Sequence, residues 1–378
     1  MGSKLTLIAT AAMGLEAIVA QEVRDLGYEV KVDNGKVTFD APFSAIPRCN
    51  LWLRTADRLK IKVGEFKATT FDELFEATKA LPWENFISED GQFPVIGKSV
   101  KSTLYSVPDC QAIVKKAIVE RLRLKYGIAS RMPETGAVYR VEIAIHKDIA
   151  TLTLDTSGHG LHKRGYRVGQ GEAPLKETLA AALVLLTNWK PDYPFIDPFC
   201  GSGTIPIEAA LIGQNIAPGF NRSFASEEWY FMKKKLWDDA FQEVEDLAKY
   251  DQSLDIIGTD INHKMVDIAN ENSQEAGLGD LIKWKQMQVK DLVISDANGY
   301  IVTNPPYGQR IGKGREREIQ TLYSDFGKIM QQYLSWSVYV LTAFPTFESV
   351  YGKKATKKRK LFNGFIQTDY YQYFGQHE

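Results

Sequence analysis

The chain has 378 residues, of which 44% are hydrophobic and 25% charged, and its formal net charge is −1. These values indicate a soluble globular protein long enough for two or three domains, and they give no global sign of nucleic-acid binding. The three cysteines, Cys49, Cys110 and Cys200, lie far apart with no CxxC or Cys/His spacing, so we expect no disulfide framework, no metal site and a reducing, cytoplasmic setting. No apolar run reaches the roughly 18 residues of a membrane span.

The first 66 residues predict a β-α-β unit. The apolar segment LTLIAT is followed by apolar residues at helical spacing from about residue 14 to 26, and then by two strand-like runs that meet at Asn34-Gly35, a dipeptide typical of tight hairpins. Lys4 followed by LTLIATAAMGL also resembles a short signal peptide. Acidic residues from Glu16 onward, spaced as in an amphipathic helix, favour a strand and a helix instead.

Residues 67–157 predict a second α+β unit with a local excess of positive charge. Its elements are a short helix (72–79), a strand-like run beginning FPVIGKSV, a helix at about 109–126 and a closing pair of strands. Between residues 93 and 131 eight basic residues accompany two acidic ones, a net of +6. A solvated helix face is one explanation and a nucleic-acid surface is the other. The candidate RNA contacts are Lys98, Lys101, Lys115, Lys116, Arg121 and Arg123.

From residue 158 the pattern becomes an alternation of strands and helices, with residues 158–175 as a linker. Short apolar runs such as PFIDPF, LDIIGTD and GYIVTNPP alternate with helical segments, which predicts an α/β domain with a parallel sheet covered on both faces. Residues 211–250 are an aromatic and charged insertion, most simply helical, in which Trp229, Tyr230, Phe231 and Trp237 would serve as helix packing. Residues 353–360 contain six basic residues and no acid. Four of these are candidate contacts to an RNA backbone: Lys357, Lys358, Arg359 and Lys360.

The sequence FIDPFCGSGTIPIEAAL predicts a cofactor site. A strand runs into Asp197, a turn at Gly201 and Gly203, and a helix that begins near Thr204; such a turn approaches a ligand closely, and a helix N-terminus attracts negative charge. The third glycine of a dinucleotide fingerprint and the Gly-Lys-Ser/Thr of a Walker loop are both missing. The pattern fits S-adenosylmethionine instead, with Asp197 toward the methionine ammonium and a later strand-end acid, Asp260, toward the ribose hydroxyls. A plain helix-capping turn explains the glycines but not the two acids.

The stretch IVTNPPYG predicts a rigid catalytic loop. Pro305 and Pro306 each fix φ near −65° and lack an N–H, so the loop after the strand keeps one shape at the edge where parallel sheets bind ligands. The Asn304 side-chain oxygen and the Pro305 carbonyl can each accept one N–H of an exocyclic amine, which turns the nitrogen lone pair toward a methyl donor. Tyr307 can stack on an extruded base. A plain β-turn is the alternative.

These two motifs together carry a resemblance to a known family. DPFCGSGTIPIEAA followed by NPPYG resembles the amino-methyltransferases, and LHKRGYRVGQGEAPLKETLAAAL narrows the likeness. Over nearly its whole length the chain resembles the THUMP-containing RNA methyltransferases, specifically the family of the large-subunit ribosomal RNA guanine-N2 methyltransferase L, in a form with a single methyltransferase domain. The resemblance implies a ferredoxin-like domain at 1–66, a THUMP RNA-binding domain at 67–157 and a class I, Rossmann-like methyltransferase domain at 158–378.

The resemblance also implies one activity, the transfer of methyl from S-adenosylmethionine to N2 of a guanosine in 23S rRNA, and a set of site residues. The implied cofactor contacts are Pro174, Lys176, Thr178, Asp197, Phe199, Gly201, Gly203, Thr204, Asp260 and Asn304. Gln288 stands where the family often has an Asp that contacts the adenine amino group, and its amide oxygen can accept the same hydrogen bond. His162 and Arg164 are expected to bind phosphate or to brace the linker, and Arg167 is a further candidate RNA contact.

Three other functions remain open from the sequence. A tRNA guanosine is the closest competing substrate. Methylation of adenine N6 in DNA would use the same loop, although the basic α+β unit favours RNA. A non-catalytic RNA-binding or ribosome-assembly factor is the third, and the intact glycine turn and Asn304 disfavour it.

Overall fold

The structure of the chain, a computed structural model, describes residues 4–171, 174–294, 298–307 and 316–376. These residues divide into two compact units. The first unit comprises residues 4–11, 19–161 and 223–243, and the second comprises residues 12–18, 162–222 and 244–376. No helix in the described ranges has the length and apolar character needed to cross a membrane.

One seven-stranded sheet, in the order β2-β3-β1-β4-β7-β6-β5, runs through the first unit. Its strands are β1 (Leu5–Ala11), β2 (Lys31–Asp33), β3 (Lys36–Ala41), β4 (Ala56–Lys67), β5 (Val95–Val100), β6 (Val141–His146) and β7 (Ile149–Asp155). All neighbouring strands are antiparallel except β5 and β6, which pair in parallel. The twelve-residue strand β4 pairs with β1 through its first half and with β7 along most of its length, so the segments predicted as two N-terminal domains share a continuous sheet.

Local sequence signals place the helices of this part of the chain. These are α1 (Glu16–Asp25), α2 (Ala45–Trp52), α3 (Phe71–Ala80) and α4 (Val107–Tyr126). The strand followed by a helix at the N-terminus is confirmed, as is the two-residue hairpin turn at Asn34-Gly35. Helix α3 begins with a capping box, in which the Thr70 side chain accepts from the Glu73 amide and the Glu73 side chain accepts from the Thr70 amide.

A second seven-stranded sheet, in the order β10-β9-β8-β11-β12-β14-β13, forms the centre of the second unit. Its strands are β8 (Phe195–Asp197), β9 (Ile256–Asp260), β10 (Ile282–Gln286), β11 (Tyr300–Thr303), β12 (Ser337–Thr342), β13 (Lys357–Asn363) and β14 (Ile366–Tyr373). Strands β8 to β12 are parallel and β14 is antiparallel to its neighbours. Every residue of β8, β11 and β12 is buried, as expected for parallel strands covered on both faces.

The remaining helices alternate with these strands, except in the insertion. They are α5 (Glu177–Leu185), α6 (Thr204–Gly213), α7 (Lys234–Leu247), α8 (His263–Glu275), α9 (Glu316–Met330) and α10 (Phe347–Tyr351). The prediction that the insertion is helical holds for its first three residues, which end α6, for a short 3₁₀ turn at Ala225–Glu228 and for α7. Trp229 lies between them, stacks on Tyr139 with ring centroids 5.2 Å apart and donates from Nε1 to the Val138 carbonyl. Its predicted role as helix packing is therefore wrong, because Trp229 lies between helices, whereas Trp237 lies in α7, is buried and stacks on Phe224 with ring centroids 5.3 Å apart.

Candidate functional site

The candidate site lies at the carboxyl ends of the parallel strands in the second unit. The winding of the sheet reverses between β8 and β11, and open α/β sheets bind ligands at this point. Asp197 ends β8, Asp260 ends β9, and Asn304 directly follows β11. Three polar residues from well-separated motifs are thus brought to one edge.

Two cavities, of about 640 Å³ and 520 Å³, occupy this edge. They share a wall and therefore form the two ends of one cleft. The shared lining residues are Phe199, Gly201, Asn262, Met265, Asn304 and Pro306. The first cavity extends to Pro174 and Asp197, and the second extends to Asp260 and Gln288.

The two glycines of the turn serve different purposes. Both adopt positive φ, 52° at Gly201 and 84° at Gly203, where residues with a side chain are strained. A Cβ at Gly203 would lie 2.7 Å from the Trp284 ring and 2.9 Å from Ala269 Cβ, so this glycine lets α6 pack closely. A Cβ at Gly201 would meet no atom within 4 Å, and Gly201 lines both cavities. Gly201 therefore exposes its backbone to a ligand, whereas Gly203 serves packing.

Asp197 is a buried carboxylate with one oxygen available to a ligand. Its Oδ1 accepts from the Thr303 hydroxyl at 2.6 Å and from the Phe199 amide at 3.1 Å. Its Oδ2 has no hydrogen-bond partner among the described residues. Burial raises the pKa of Asp197 from 3.8 to about 7; the two hydrogen bonds oppose this rise and the nearby charge of Asp260 adds to it. A cationic ligand group at this position would favour the ionised carboxylate.

Asp260 organises the other end of the cleft. Its Oδ2 accepts from the Gly201 amide at 3.1 Å and its Oδ1 accepts from the Asn262 amide at 2.8 Å. Burial raises the pKa of Asp260, and these two amides lower it. Gln288 lies after β10 and lines the second cavity together with Asp260.

The loop after β11 carries a buried, unsatisfied acceptor on a residue that lines the cleft. In the described part of the chain, the side-chain oxygen of Asn304 is buried and has no hydrogen-bond partner. The Tyr323 hydroxyl holds the loop by donating to the Pro306 carbonyl at 2.7 Å. Asn304 and Pro306 line both cavities, whereas Pro305 is buried and does not line them. Gly308, the last residue of the stretch IVTNPPYG, lies outside the described residues, which resume at residue 316.

Tyr307 differs from its predicted role. Its side chain is 2% exposed and its hydroxyl accepts from the Asn363 side-chain amide at 2.9 Å. A ring packed in this way offers no open face to an extruded base. The predicted stacking by Tyr307 is therefore not supported by this geometry, and the residue instead joins the catalytic loop to the turn after β13.

Arg167, predicted to contact RNA, is a brace of the cofactor turn. Its guanidinium donates to Glu177 at 2.7 Å, to the hydroxyls of Ser202 and Thr204 at 3.1 and 3.0 Å, and to the Leu175 carbonyl at 3.1 Å. With these partners it ties the glycine turn to the start of α5. The prediction of an RNA contact is wrong here because the guanidinium is already engaged. The sequence offered no signal for this role.

Arg164 is also unavailable to RNA. It is 2% exposed and pairs with the fully buried Glu208 of α6, its two nitrogens lying 3.2 and 3.3 Å from the carboxylate. Of the two expected roles, bracing agrees with this burial and phosphate binding does not. His162 is half-buried and lines a third cavity of about 460 Å³, together with the exposed Lys163 and Lys176.

Only some of the other residues predicted to contact the cofactor line the cleft. Pro174 and Thr204 line it, and Phe199 lines both ends of the cleft. Lys176 precedes α5 with its side chain exposed. Thr178 is buried within α5 and lines none of the three cavities described above.

Acidic side chains from outside residues 93–131 pair with basic side chains inside this segment and offset part of its predicted positive charge. Lys98 lies 3.2 Å from Glu142 and Lys115 lies 2.8 Å from Glu134, while Arg121 makes a two-nitrogen contact with Glu84. Arg123 instead donates to carbonyls just after α4. Lys101 and Lys116 are exposed, and neither has a carboxylate within 4 Å among the described residues.

Strand β13 carries the second basic cluster. Lys357, Lys358 and Lys360 are exposed and Arg359 is half-buried. Lys358 lies 3.8 Å from Glu348, a weak contact, and 5.4 Å from the centre of the Tyr371 ring. This strand therefore presents several cations to solvent.

The residues of the cleft fit S-adenosylmethionine. A carboxylate oxygen faces one end, a second carboxylate lies at the other end near Gln288, and a glycine backbone without side-chain obstruction lies between them. Within the described ranges, no group of three or more His, Cys, Asp or Glu side chains is placed to hold a metal ion.

Family models match three successive parts of the chain. They are the RlmL ferredoxin-like domain at residues 6–60, the THUMP domain at 68–155 and the RMKL-like methyltransferase domain at 164–372. Among relatives, the candidate RNA methyltransferase YpsC of Bacillus subtilis is 65% identical, over 99% of this chain and 97% of YpsC. The ribosomal RNA large subunit methyltransferase K/L of Syntrophotalea carbinolica is 34% identical, over 97% of this chain and 53% of that protein.

Two solved structures have nearly the same fold. One, from Listeria monocytogenes, is described as a predicted N6-adenine-specific DNA methylase; it is 63% identical with a TM-score of 0.95 and covers 99% of this chain and 97% of that one. The other, SMU.472, is described as a candidate methyltransferase complexed with S-adenosylhomocysteine; it is 47% identical with a TM-score of 0.95 and covers 100% of this chain and 99% of that one.

Proposed function

Because the chain belongs to the family of the RMKL-like methyltransferase domain, preceded by RlmL ferredoxin-like and THUMP domains, we propose that it methylates the N2 amine of a guanosine in 23S rRNA. At the coarser level, the protein is an S-adenosylmethionine-dependent methyltransferase that acts on RNA. The guanosine and its place in 23S rRNA are the finer part of the proposal.

The observation that carries the proposal is the buried, unpartnered side-chain oxygen of Asn304 in the wall of the cleft. Leaving a buried acceptor unsatisfied costs about 1–3 kcal/mol. A substrate that donates an N–H would remove this cost at the moment of binding. An exocyclic amine of a nucleobase has such a donor and also carries the nitrogen to be methylated.

The loop then orients the nucleophile. S-adenosylmethionine, when bound, supplies an electrophilic methyl group. The lone pair of an exocyclic amine is delocalised into its ring, and accepting one N–H at Asn304 turns that lone pair out of the ring plane. Tyr323 fixes the main chain at Pro306, so the acceptor is held in place before the substrate arrives. No strong general base is required, because the amine becomes acidic as it is methylated.

One observation supports RNA as the substrate, and a second supports rRNA. Apart from residues 12–18, the ferredoxin-like and THUMP matches lie in the first unit, which does not contain the cleft, and this agrees with a separate module for holding RNA. The K/L relative that matches 97% of this chain is named for the large-subunit rRNA. Exposed lysines without a nearby carboxylate, Lys101 and Lys116 in the first unit and Lys357 and Lys360 on β13, are the proposed backbone contacts.

Methyl transfer by the purified full chain tests the proposal. The acceptors are 23S rRNA, 16S rRNA and tRNA from cells lacking the protein, together with unmethylated DNA, and the products are digested to nucleosides and identified by mass spectrometry. We expect N2-methylguanosine in 23S rRNA alone. Asn304→Ala should abolish it, while Asn270→Ala, a change at an exposed asparagine of α8, should not. Methylation of tRNA alone or of DNA adenine would contradict the assigned substrate.

A further inference from the structure

The turn between β13 and β14 lies at the same edge of the sheet as the cleft. Strand β13 is antiparallel to β14, which is antiparallel to β12, so β13 runs in the direction of the parallel strands and ends at their carboxyl edge. The Asn363 side chain at the end of β13 donates to the Tyr307 hydroxyl at 2.9 Å. The turn is therefore attached to the catalytic loop by a direct hydrogen bond.

Phe365 is at the tip of this turn and is fully exposed. Asn363 pairs with Ile366, so Gly364 and Phe365 form a two-residue turn, with Gly364 at φ 64° in the position where type II′ turns place glycine. The relative exposure of Phe365 is 106%. Turn positions are usually polar, and an aromatic ring here adds nothing to the packing of the fold.

The strand that leads to Phe365 is cationic. Lys357, Lys358 and Lys360 are exposed along β13, and Lys358 alone among them has a described carboxylate within 4 Å. Asp369 of β14 lies opposite Lys360 in the strand register without an ion pair between them. Lysines on an edge strand also discourage strand-to-strand aggregation, which explains the charges but leaves the ring at the tip unexplained.

We propose that Phe365 stacks on a nucleobase next to the guanosine held in the cleft, while the lysines of β13 contact the adjoining phosphates. The inference rests on the proposed function, since it names how the RNA is held beside the same site. An enzyme that takes a base out of its stack leaves the neighbouring base with an uncovered face. A planar aromatic side chain covers such a face with little dependence on sequence, and the cations follow the backbone.

Isolated exposed apolar residues are common, and Leu334 in the same unit is one, with 53% exposure. Leu334 precedes β12 and so lies toward the opposite edge of the sheet. Phe365 differs in its full exposure and in the hydrogen bond that joins its turn to the catalytic loop. If Phe365 instead made an apolar contact with a protein partner, position 365 would require an apolar side chain but not a planar one.

The test compares Phe365→Ala, Phe365→Leu and Phe365→Trp, with Leu334→Ala as the matched control. The full chain methylates 23S rRNA from cells lacking the protein, and calorimetry measures binding of S-adenosylhomocysteine. Loss of one base stack predicts a fall in kcat/KM of about 5- to 150-fold for the Ala and Leu variants, mainly through KM for RNA. The Trp variant and the control should keep most of the wild-type kcat/KM, and all should bind S-adenosylhomocysteine as wild type does.

Two results would overturn this inference and leave the proposed function unaffected. In the first, Phe365→Ala methylates 23S rRNA as well as wild type. In the second, Phe365→Leu is fully active while Phe365→Ala is not, which would mean an apolar contact in place of stacking. If wild type itself does not methylate 23S rRNA, the proposed function fails and this inference fails with it.

Discussion

Replacing Asp197 by Asn should make the unliganded protein more stable and the cofactor bind more weakly. The amide has the same shape as the carboxylate, and its oxygen can still accept from the Thr303 hydroxyl and the Phe199 amide. What changes is the charge of a buried group at one end of the cleft. The change therefore separates the cost of the charge from the packing around it.

The pKa of Asp197 gives the magnitude and the pH window. It rises from 3.8 to about 7 in the folded protein, which corresponds to about 4 kcal/mol at 1.36 kcal/mol for each pH unit. Between these two values the folded state holds a proton that the unfolded state has lost, so the free energy of unfolding falls as pH rises through this window. The destabilisation by the buried, ionised carboxylate is complete above pH 7 and absent below pH 4. Asp197→Asn should therefore stabilise the unliganded protein at pH 8, by up to that amount, and have little effect at pH 4.

Ligand binding should change in the opposite direction. We propose that the Asp197 carboxylate meets the ammonium group of S-adenosylhomocysteine, toward which Asn would direct an N–H donor instead. Removing one partner of a buried charge pair costs about 2–5 kcal/mol, so Kd should rise by about thirtyfold or more. For the wild type, Kd should fall as pH rises through about 7, because only the ionised carboxylate attracts the ammonium.

Urea unfolding at pH 4 and pH 8 without ligand and calorimetry with S-adenosylhomocysteine measure the two effects. Asp192→Asn, at an exposed carboxylate of the same unit, is the control and should change neither. A variant at position 197 that is less stable than wild type at pH 8, or that binds S-adenosylhomocysteine equally well, would refute the reasoning.

Four further changes separate catalysis, binding and folding. Asn304→Ala should lower kcat by about 100-fold or more without lowering the midpoint of thermal unfolding, because the oxygen removed has no partner in the described fold; a large loss of stability would contradict this. Gly203→Ala should destabilise the protein by about 1–3 kcal/mol in urea, because the new methyl group meets Trp284. Gly201→Ala should cost less stability and instead weaken S-adenosylhomocysteine binding in calorimetry, and equal effects of the two glycine changes would argue against their separate roles. Arg167→Met should lower the free energy of unfolding by about 3–5 kcal/mol, because it leaves a buried carboxylate unpaired; urea unfolding measures this, and an unchanged midpoint would exclude the brace.

The glycine turn after β8 and the loop after β11 could be predicted as structural features because their signals are local. An Asp at a strand end, glycines in a turn and a following helix lie within a dozen residues, and the strand before Asn304 is equally clear. The rule that parallel strands share a ligand edge then brings the two motifs together without knowledge of the remaining contacts. Asp260 follows from the same rule.

Contacts between distant residues could not be predicted. Glu84, Glu134 and Glu142 reduce the charge of the basic segment, yet all three lie outside the window in which that charge was counted. Trp229 packs on Tyr139, 90 positions earlier in the chain, so periodicity could not distinguish it from a helical residue. For such side chains, the composition of a sequence segment gives its charge and apolar character, but it does not identify the residues that each side chain contacts.

The same limit explains the arginines of LHKRGYR. Their sequence context indicates a basic loop, and exposed basic loops often contact phosphate. Arg164 is instead buried against Glu208, and Arg167 is occupied by Glu177 and the glycine turn. Only the three-dimensional arrangement distinguishes a cation that meets a substrate from one that holds the site together.

The most direct test of the central claim uses cells that lack this protein and cells in which it is restored as wild type or as Asn304→Ala. Their 23S rRNA and tRNA are purified separately, digested to nucleosides and analysed by mass spectrometry. We expect N2-methylguanosine to be lost from 23S rRNA in the deficient cells and to return only with the wild-type protein. Unchanged N2-methylguanosine in 23S rRNA, or its return with Asn304→Ala, would contradict it.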